Sequence, residues 1–303
     1  MKKILSLILC CFLTALAAGC GKTEDKPRET ADISYEGARV SYLGPEGTYT
    51  QMACREFFGK AAGLDPYETV SDAVTALTEG RSDYAVIPQE NTIGGAVVEY
   101  IDNVIDTEGI SVRGEVVLTI DQDLLVMPGA SLDGIKTVYS HKQGIAQSGP
   151  WLKANLPNAE VIEVSSTAEG ARMVSEGKDP SCAALAAEGC AEVYGLEILA
   201  RSIQNNDNNR TRFYVLSTEA ASTADSERIA FVASGPAECL PGLIAEIDRY
   251  NAKLITIHER PLKTDLGHYN YLIECEGLSY QALLRITKDS KLDIRFLGCF
   301  DVK

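Results

Sequence analysis

Apolar residues between positions 40 and 216 fall into short runs that alternate with segments of helical periodicity. The runs, which predict β-strands, are 40–43, 84–87, 116–118, 124–127, 137–140, 161–164, 182–185 and 213–216. The predicted helices between many of them are 49–58, 71–78, 97–105, 146–154 and 167–175. This alternation is typical of a largely parallel α/β fold, which can be divided between two lobes. Ligand sites in such folds lie where strands end and helices begin.

The C-terminal part of the chain has a different order of elements. A small, polar segment at 217–227 predicts a linker. Beyond it, residues 228–303 give the order β-α-β-β-α-β, which is the ferredoxin-like arrangement. A chain of 303 residues also exceeds what one core usually supports. We therefore expect two domains, the second of them small.

The N-terminal segment reads as an export leader. Two lysines at positions 2 and 3 precede an apolar stretch at 4–16 and small residues at 17–19. Because the small residues end on Cys20, the segment resembles a bacterial lipoprotein signal, which implies lipidation of Cys20. A cleaved signal without a lipid is the alternative. We expect an extracytoplasmic protein that reaches the membrane only through its lipid anchor. The predicted divisions of the chain are a leader at 1–19, a flexible tether at 20–37, a first domain at 38–217 and a second at 228–303.

Net charge limits the ligands that the protein can bind, and the positions of the cysteines indicate whether they form disulfides. The chain carries a formal charge of −15, and removal of the leader with its two lysines makes it more negative. Such a surface repels nucleic acid, so we expect no nucleic-acid partner, and a small anion would need a local amide-rich or basic pocket. The six cysteines beyond Cys20 lie in apolar runs without a C-x-x-C pair. This favours buried free thiols, with disulfides as the alternative in an oxidising compartment.

Four predicted strand ends share hydroxyls, amides and glycines. The loops contain the sequences GPEGTYT, PQENTIGGAV, YSHKQGIAQ and SSTAEG. Each precedes a predicted helix, whose first N–H groups and positive dipole end favour a bound anion. Any single loop of this kind is ordinarily a helix cap. Four loops together, with the polar stretch NNDNNRTR before the strand at 213–216, predict a site for a small anionic ligand.

Several other chemistries fit the sequence poorly. The GPEG loop lacks the lysine and the spacing of a phosphate-binding P-loop. No nucleophile elbow for serine hydrolysis is present. The three histidines, at 141, 258 and 268, lack the spacing of a zinc site. His141, beside a serine, is either a base or a scaffold residue that holds a loop by hydrogen bonds. We expect neither a metal nor an organic cofactor.

Taken in order, the loops resemble those of prephenate dehydratases over residues 39–217. The family motif GPxGTfS is matched at 44–50, with Thr50 for the final serine. The motif PxENSxxGxV is matched at 88–97, with Thr92 for serine. The motif SHPQAxxQC is matched at 140–148, with Lys142 for proline and Ser148 for cysteine. STAEGA and AALAAEGCAEVYGL match further blocks, and NRTRF at 209–213 matches NxTRF.

The resemblance implies a catalytic domain of two α/β lobes, similar to a periplasmic binding protein, with the site in the cleft between them. It implies that prephenate loses CO2 and its C4 hydroxyl to give phenylpyruvate. The residues carried over as catalytic are Thr211, Asn91, Ser140, Gln147 and Glu90. Those carried over as substrate-binding are Arg212, Thr48, Thr92, His141 and Asn209.

The resemblance also suggests roles for individual residues. Thr211 would orient or protonate the departing hydroxyl through a relay, since a threonine is too weak an acid to act alone. Asn91, Ser140 and Gln147 would hydrogen-bond the carboxylates or the keto group. Arg212 is either a clamp on a carboxylate or the ion-pair partner of Glu90. Thr48 is a binding residue or only a helix cap.

Residues 228–303 resemble the ACT regulatory domain that binds phenylalanine at a dimer interface in this family. The family sequence PGAL falls on 237–240, where Glu238 replaces a glycine, and IESRP falls on 257–261. The larger, charged side chain predicts weakened or lost phenylalanine binding. We expect a homodimer or homotetramer.

Two functional alternatives remain from the sequence. The export leader also suits a non-catalytic lipoprotein that binds an aromatic amino acid or keto acid, because prephenate is made in the cytoplasm. The substrate could instead be arogenate, which carries an amine in place of the ketone.

Overall fold

The fold is described from a computed structural model over residues 35–303. The N-terminal half of the first domain contributes β1 (Arg39–Leu43), α1 (Tyr49–Phe58), β2 (Gly63–Tyr67), α2 (Val70–Thr78), β3 (Tyr84–Asn91), β4 (Gly95–Ala96), α3 (Val98–Asp106) and β5 (Ser111–Thr119). There follow β6 (Asp123–Val126), β7 (Thr137–Ser140), α4 (Lys142–Asn155), β8 (Glu160–Glu163), α5 (Thr167–Gly177), β9 (Cys182–Ala186), α6 (Glu188–Tyr194), β10 (Glu197–Ala200) and β11 (Arg210–Ser217).

These elements form two lobes, each around its own sheet. The first sheet has the order β2-β1-β3-β11-β5, with β4 on the edge of β3, and the second has the order β10-β6-β9-β7-β8. The chain crosses between the lobes twice, at 120–122 and at 201–209. The expected two-lobed α/β fold is confirmed.

The strands are less parallel than the sequence pattern predicts. Strands β2, β1 and β3 are parallel, whereas β11 runs antiparallel to both of its neighbours. In the second sheet β8, β7 and β9 are parallel, and β6 and β10 pair antiparallel. The parallel strands are joined by helices, while β11 enters the first sheet directly from the other lobe. Each sheet is therefore mixed.

Most predicted elements occur within a few residues of their expected bounds. Helix α4 begins four residues early because His141 caps it, with Nδ1 accepting a hydrogen bond from Gln143 N at 3.3 Å. Strand β11 begins three residues early, since its polar first residues pair with strands on both sides. The edge strand β2, with sequence GLDPY, was not predicted because it is polar and contains a proline.

The C-terminal part has the predicted order of elements. It consists of β12 (Arg228–Pro236), α7 (Leu240–Arg249), β13 (Lys253–Pro261), β14 (His268–Glu276), α8 (Tyr280–Asp289) and β15 (Asp293–Phe300). The sheet has the order β13-β14-β12-β15, and every pair in it is antiparallel. One face packs on α7 and α8, as the buried cluster that contains Leu243 and Leu283 shows.

The C-terminal sheet also shares a hydrophobic core with the first lobe. Val232, Leu272 and Phe300 belong to the same buried cluster as Ile101 and Tyr214. Residues 35–303 accordingly form one compact unit.

Two arginines of the C-terminal sheet hold helix α3 of the first lobe. Arg260 binds Asp102 through two hydrogen bonds, of 2.5 and 3.0 Å. Arg295 donates to the carbonyls of Val104, Ile105 and Thr107, which lie at the C-terminal end of that helix. A cation at this end also suits the helix dipole.

The leader, most of the tether and Cys20 lie outside the described residues. Within 35–303 no helix is long and apolar enough to cross a membrane. The six cysteines of this part of the chain are Cys54, Cys182, Cys190, Cys239, Cys275 and Cys299, and all are free thiols in the structure.

Candidate active site

A cleft of about 950 Å³ opens between the two lobes. It is lined by the ends of strands, by both connections and by the N-termini of α1, α4 and α5. Six of the residues predicted from sequence line it: Thr48, Asn91, His141, Gln147, Asn209 and Thr211. The structure thus brings together residues that lie up to 163 positions apart in the sequence.

Strand pairing places Thr211 directly opposite Asn91. Asn91 Oδ1 accepts hydrogen bonds from the backbone N–H groups of Ile93 and Gly94, at 3.0 and 2.8 Å, which fixes the orientation of its amide. Its Nδ2 therefore faces β11 and donates to Thr211 Oγ1 at 2.9 Å. Because this oxygen accepts a hydrogen bond from Asn91, the hydroxyl hydrogen of Thr211 is available to a ligand in the cleft.

The fixed orientation of the Asn91 amide also fixes the orientations of further amide side chains. Asn91 Nδ2 also donates to Asn209 Oδ1 at 2.8 Å, and Asn209 Nδ2 donates to Gln147 Oε1 at 3.3 Å. Gln122 Nε2 approaches the same Gln147 oxygen at 3.5 Å. These four side chains, here called the amide chain, run from the first lobe across both connections to α4 of the second lobe.

Three helix N-termini face the cleft, and each is capped by a residue that lines it. Thr48 Oγ1 accepts from Gln51 N at 3.4 Å on α1, and Ser166 Oγ accepts from Glu169 N at 3.0 Å on α5. His141 caps α4 through Nδ1, so its neutral ring carries the proton on Nε2. Among the described residues that line the cleft, none is a lysine or an arginine. An anion there would be held by helix N-termini and uncharged donors.

Two predicted site residues support the cleft from behind. Ser140 is fully buried and donates to the carbonyl of Leu185 at 2.8 Å. A side chain at Gly144 would lie 2.6 Å from Ser140 Oγ, so this serine requires the glycine beside it. Thr92 Oγ1 donates to the carbonyl of Asn208 at 2.8 Å and accepts from Arg210 N at 2.9 Å. Both contacts hold the backbone that carries the cleft residues.

The structure places Arg212 and Glu90 outside the cleft lining. This position favours Arg212 as the ion-pair partner of Glu90 over Arg212 as a clamp on a substrate carboxylate. Successive side chains of a strand point to opposite faces, so Arg212 faces away from the side that Thr211 and Phe213 present to the cleft. Its guanidinium binds Glu90 at 3.2 Å.

Arg212 also binds two fully buried carboxylates. Two hydrogen bonds, of 2.9 and 2.8 Å, join it to Glu115 of β5. It further contacts Glu274 of β14, which also accepts a hydrogen bond from the Tyr214 hydroxyl. We call these five residues, Arg212, Glu90, Glu115, Glu274 and Tyr214, the Arg212 cluster. It joins the strand of Thr211 to the C-terminal sheet.

The Arg212 cluster contains three carboxyl groups and one arginine. This excess of carboxyl groups affects the protonation of its members. Burial raises the pKa of Glu274 to about 7, and the nearby Glu115 carboxylate adds to the rise, although Arg212 and Tyr214 oppose it. Burial alone would lower the pKa of Arg212, but the carboxylates of Glu274 and Glu115 outweigh it and raise that pKa. The pKa of the Glu274 carboxyl therefore lies near neutral pH.

The family assignment follows from sequence comparison. The family described as prephenate dehydratase matches residues 40–221. The chain belongs to the prephenate dehydratase family.

Individual relatives agree with this assignment. A bifunctional chorismate mutase/prephenate dehydratase of Neisseria gonorrhoeae is 37% identical over 240 residues, which cover 78% of this chain and 66% of that protein. The match thus spans about two thirds of the length of this bifunctional relative. A prephenate dehydratase of Mycolicibacterium smegmatis is 32% identical over 282 residues, covering 86% of this chain and 89% of the relative.

A solved structure of prephenate dehydratase from Arthrobacter aurescens, in complex with L-Phe, has a similar fold. Its TM-score is 0.77 at 29% identity, and the superposition covers 87% of this chain and 90% of that chain.

The sequence of this prephenate dehydratase family member left some residues of the cleft unidentified. Gln122 lies in the stretch TIDQD between two predicted strands, and no motif marks it. Val97 and Tyr100 enter the cleft lining at the start of α3. Only the structure identifies Gln122 as a cleft residue, by placing its side chain beside that of Gln147. Within residues 35–303 no group of three or more histidine, cysteine, aspartate or glutamate side chains could hold a metal ion.

Replacement of Arg212 by methionine should strongly destabilise the fold. It would leave the buried carboxylates Glu115 and Glu274 without their cation, and loss of one partner of a buried pair costs about 3–5 kcal/mol. Urea unfolding measures this loss. The control is Arg39→Met, whose ion pair with Asp83 is exposed and should matter little. Equal midpoints for the two variants would contradict the role given to the Arg212 cluster.

The stability of the wild type relative to Glu274→Gln should fall between pH 4.5 and about pH 7. The pKa of Glu274 is raised to about 7 in the folded state, so the folded protein holds a proton that the unfolded chain releases above its lower pKa. Stability from this group is thus complete at low pH and lost as the pH rises toward 7, by on the order of 1–3 kcal/mol. Urea unfolding at a series of pH values measures the difference, and parallel pH profiles would disprove the assignment.

Proposed function

We propose that this protein is a prephenate dehydratase, which converts prephenate to phenylpyruvate, CO2 and water. The observation that carries the proposal is the orientation of Thr211: Asn91 donates to its oxygen, so its O–H is directed to the ligand. This arrangement lies in a cleft that helix N-termini make suitable for an anion. Membership of the prephenate dehydratase family supports the same substrate.

The proposed reaction requires little of the protein beyond orientation and hydrogen bonding. The bond between the ring and its carboxylate breaks, and CO2 leaves. The electron pair shifts through the ring, which becomes aromatic, and the bond from C4 to its hydroxyl breaks. The departing oxygen takes a proton and leaves as water. Thr211 donates a hydrogen bond to this oxygen and passes a proton from solvent by a relay, since its own pKa is far too high for net proton release.

Among the described residues that line the cleft there are two carboxylates, Glu68 and Glu169, but no lysine or arginine, and the lack of a lining cation fits this chemistry. The ring carboxylate loses its negative charge as CO2 forms, so a strong ion pair to it would stabilise the substrate more than the transition state. The amide chain and the three helix N-termini can hold two carboxylates without such a pair. The proposed roles are hydrogen bonding to the substrate for Asn91, Gln147 and Asn209, and support of the cleft for Ser140, Thr92, Glu90 and Arg212.

Residues 228–303 are proposed to be an ACT-like domain with reduced affinity for phenylalanine, in a homodimer or homotetramer. The ferredoxin-like order of elements supports the domain assignment. Glu238 lines a cavity of about 350 Å³ together with Glu246, Asp289 and Lys291. The three carboxylates outnumber the one lysine and would repel the carboxylate of an amino acid. The boundaries proposed for the two domains remain 38–217 and 228–303.

Replacement of Thr211 by alanine should lower kcat for prephenate by about 10²–10⁴-fold, because the donor to the departing hydroxyl is lost. Thr211→Ser should retain much of the activity, since it keeps the hydroxyl. The assay follows phenylpyruvate formation by the purified 35–303 unit. The control is Thr119→Ala, an exposed threonine of the neighbouring strand β5. Wild-type binding of prephenate without turnover would favour a binding protein, and turnover of arogenate alone would change the substrate.

The export signal predicts a membrane location for the activity. We propose that Cys20 is lipidated and that the protein is extracytoplasmic, on the basis of the small residues that precede this cysteine. Cys20→Ala should therefore move the protein from the membrane fraction to another fraction, as immunoblotting of fractionated cells would show. Recovery of the wild type in the cytoplasm would overturn this location.

A further inference from the structure

Gln122 lies on the first connection between the lobes and is held there by its backbone. Its N–H donates to Gln204 Oε1 at 2.8 Å, and its carbonyl accepts from Ile203 N at 2.8 Å. Both partners belong to the second connection. The side chain lines the cleft, although the residue is only 4% exposed.

The amide chain fixes which end of the Gln122 side chain accepts hydrogen bonds. Backbone N–H groups orient Asn91, which orients Asn209, whose Nδ2 then donates to Gln147 Oε1. Because that oxygen is an acceptor, Gln122 must turn Nε2 toward it. Its Oε1 is therefore turned away from Gln147 Oε1 and has no hydrogen-bond partner among residues 35–303.

A buried acceptor of this kind usually has a partner, since leaving it unpaired costs about 1–3 kcal/mol. Gly144 of α4 packs closely against this oxygen, because a Cβ at that position would lie 3.2 Å from Gln122 Oε1. No side chain of α4 therefore stands at that point, and Gln122 itself lines the cleft. A ligand that pairs with this oxygen needs a hydrogen-bond donor.

We propose that Gln122 is a specificity-determining residue, whose Oε1 accepts a hydrogen bond from the C4 hydroxyl of the substrate. The inference rests on the proposed function. Prephenate as a dianion offers one hydrogen-bond donor, the C4 O–H group, and phenylpyruvate offers none. Thr211 donates a hydrogen bond to the hydroxyl oxygen, and Gln122 Oε1 accepts a hydrogen bond from the same hydroxyl group. The product leaves Gln122 unpaired, so the cleft favours substrate over product and promotes product release.

The test replaces Gln122 by methionine, which has a similar volume and no acceptor of comparable strength. Calorimetry measures the Kd of phenylpyruvate, and the affinity for prephenate is measured in a Thr211→Ala background, where turnover is slow. The variant should bind prephenate roughly tenfold more weakly and phenylpyruvate roughly tenfold more tightly than its parent. A structural defect would shift both affinities in the same direction.

A matched control exists in Gln89. Its residue exposure is 1%, its side-chain oxygen and nitrogen have no hydrogen-bond partner within residues 35–303, and it does not line the cleft. Gln89→Met should leave the ratio of the two affinities unchanged. If Gln122→Met does not fold, as judged by circular dichroism, Gln122→Ala is measured instead with the same expectation.

The outcomes separate this inference from the proposed function. If the wild type turns over prephenate but the Gln122 variants leave the ratio of affinities unchanged, the inference alone is overturned. Weaker binding of arogenate and phenylalanine, with prephenate unaffected, would assign the acceptor to an ammonium group and would also overturn it. If the wild type neither binds nor converts prephenate, the proposed function falls, and this inference falls with it.

Discussion

The buried charge of Arg212 is the interaction on which the arrangement of the first lobe and the C-terminal sheet depends. Its guanidinium joins Glu115 of β5 and Glu90 of β3 to Glu274 of the C-terminal sheet. A buried cation of this kind is stable only with its partners in place. Strand β11 is therefore held at one depth and in one register. The neighbouring Thr211, which faces the other way, then lies opposite Asn91.

A second constraint is the orientation of neutral dipoles in the cleft. Backbone N–H groups after β3 fix the amide of Asn91, and each following amide takes its orientation from the one before. The chain of contacts reaches Gln147 and Gln122 in the other lobe and its connection. Donors and acceptors are thus set before a ligand binds, so little reorganisation is needed during reaction. The same contacts cross between the lobes and link their relative position to the geometry of the site.

Local pattern predicted much of the fold because helices and strands differ in the spacing of their apolar residues. The helix at 49–58 and the strand at 137–140 have the expected bounds. Strand β2 was missed, since an edge strand needs few apolar residues and its sequence GLDPY shows no alternation. The antiparallel direction of β11 was also missed, because strand direction depends on where the chain returns from. Asn91, Gln147 and Thr211 were found through ordered motifs, whereas Gln122 lies in none.

The sequence by itself determined the alternation of elements, the loops rich in hydroxyls and amides, and the membership of a family that the ordered motifs indicate. Those properties depend on neighbouring residues, and so a linear pattern records them. Only the tertiary structure decided that Arg212 faces Glu274 and not the cleft, that Ser140 lies behind the cleft wall, and that the oxygen of Gln122 has no partner within the described chain. These outcomes depend on which face of a strand each side chain occupies and on contacts between residues far apart in the sequence, which are set only when the strands and sheets pack together.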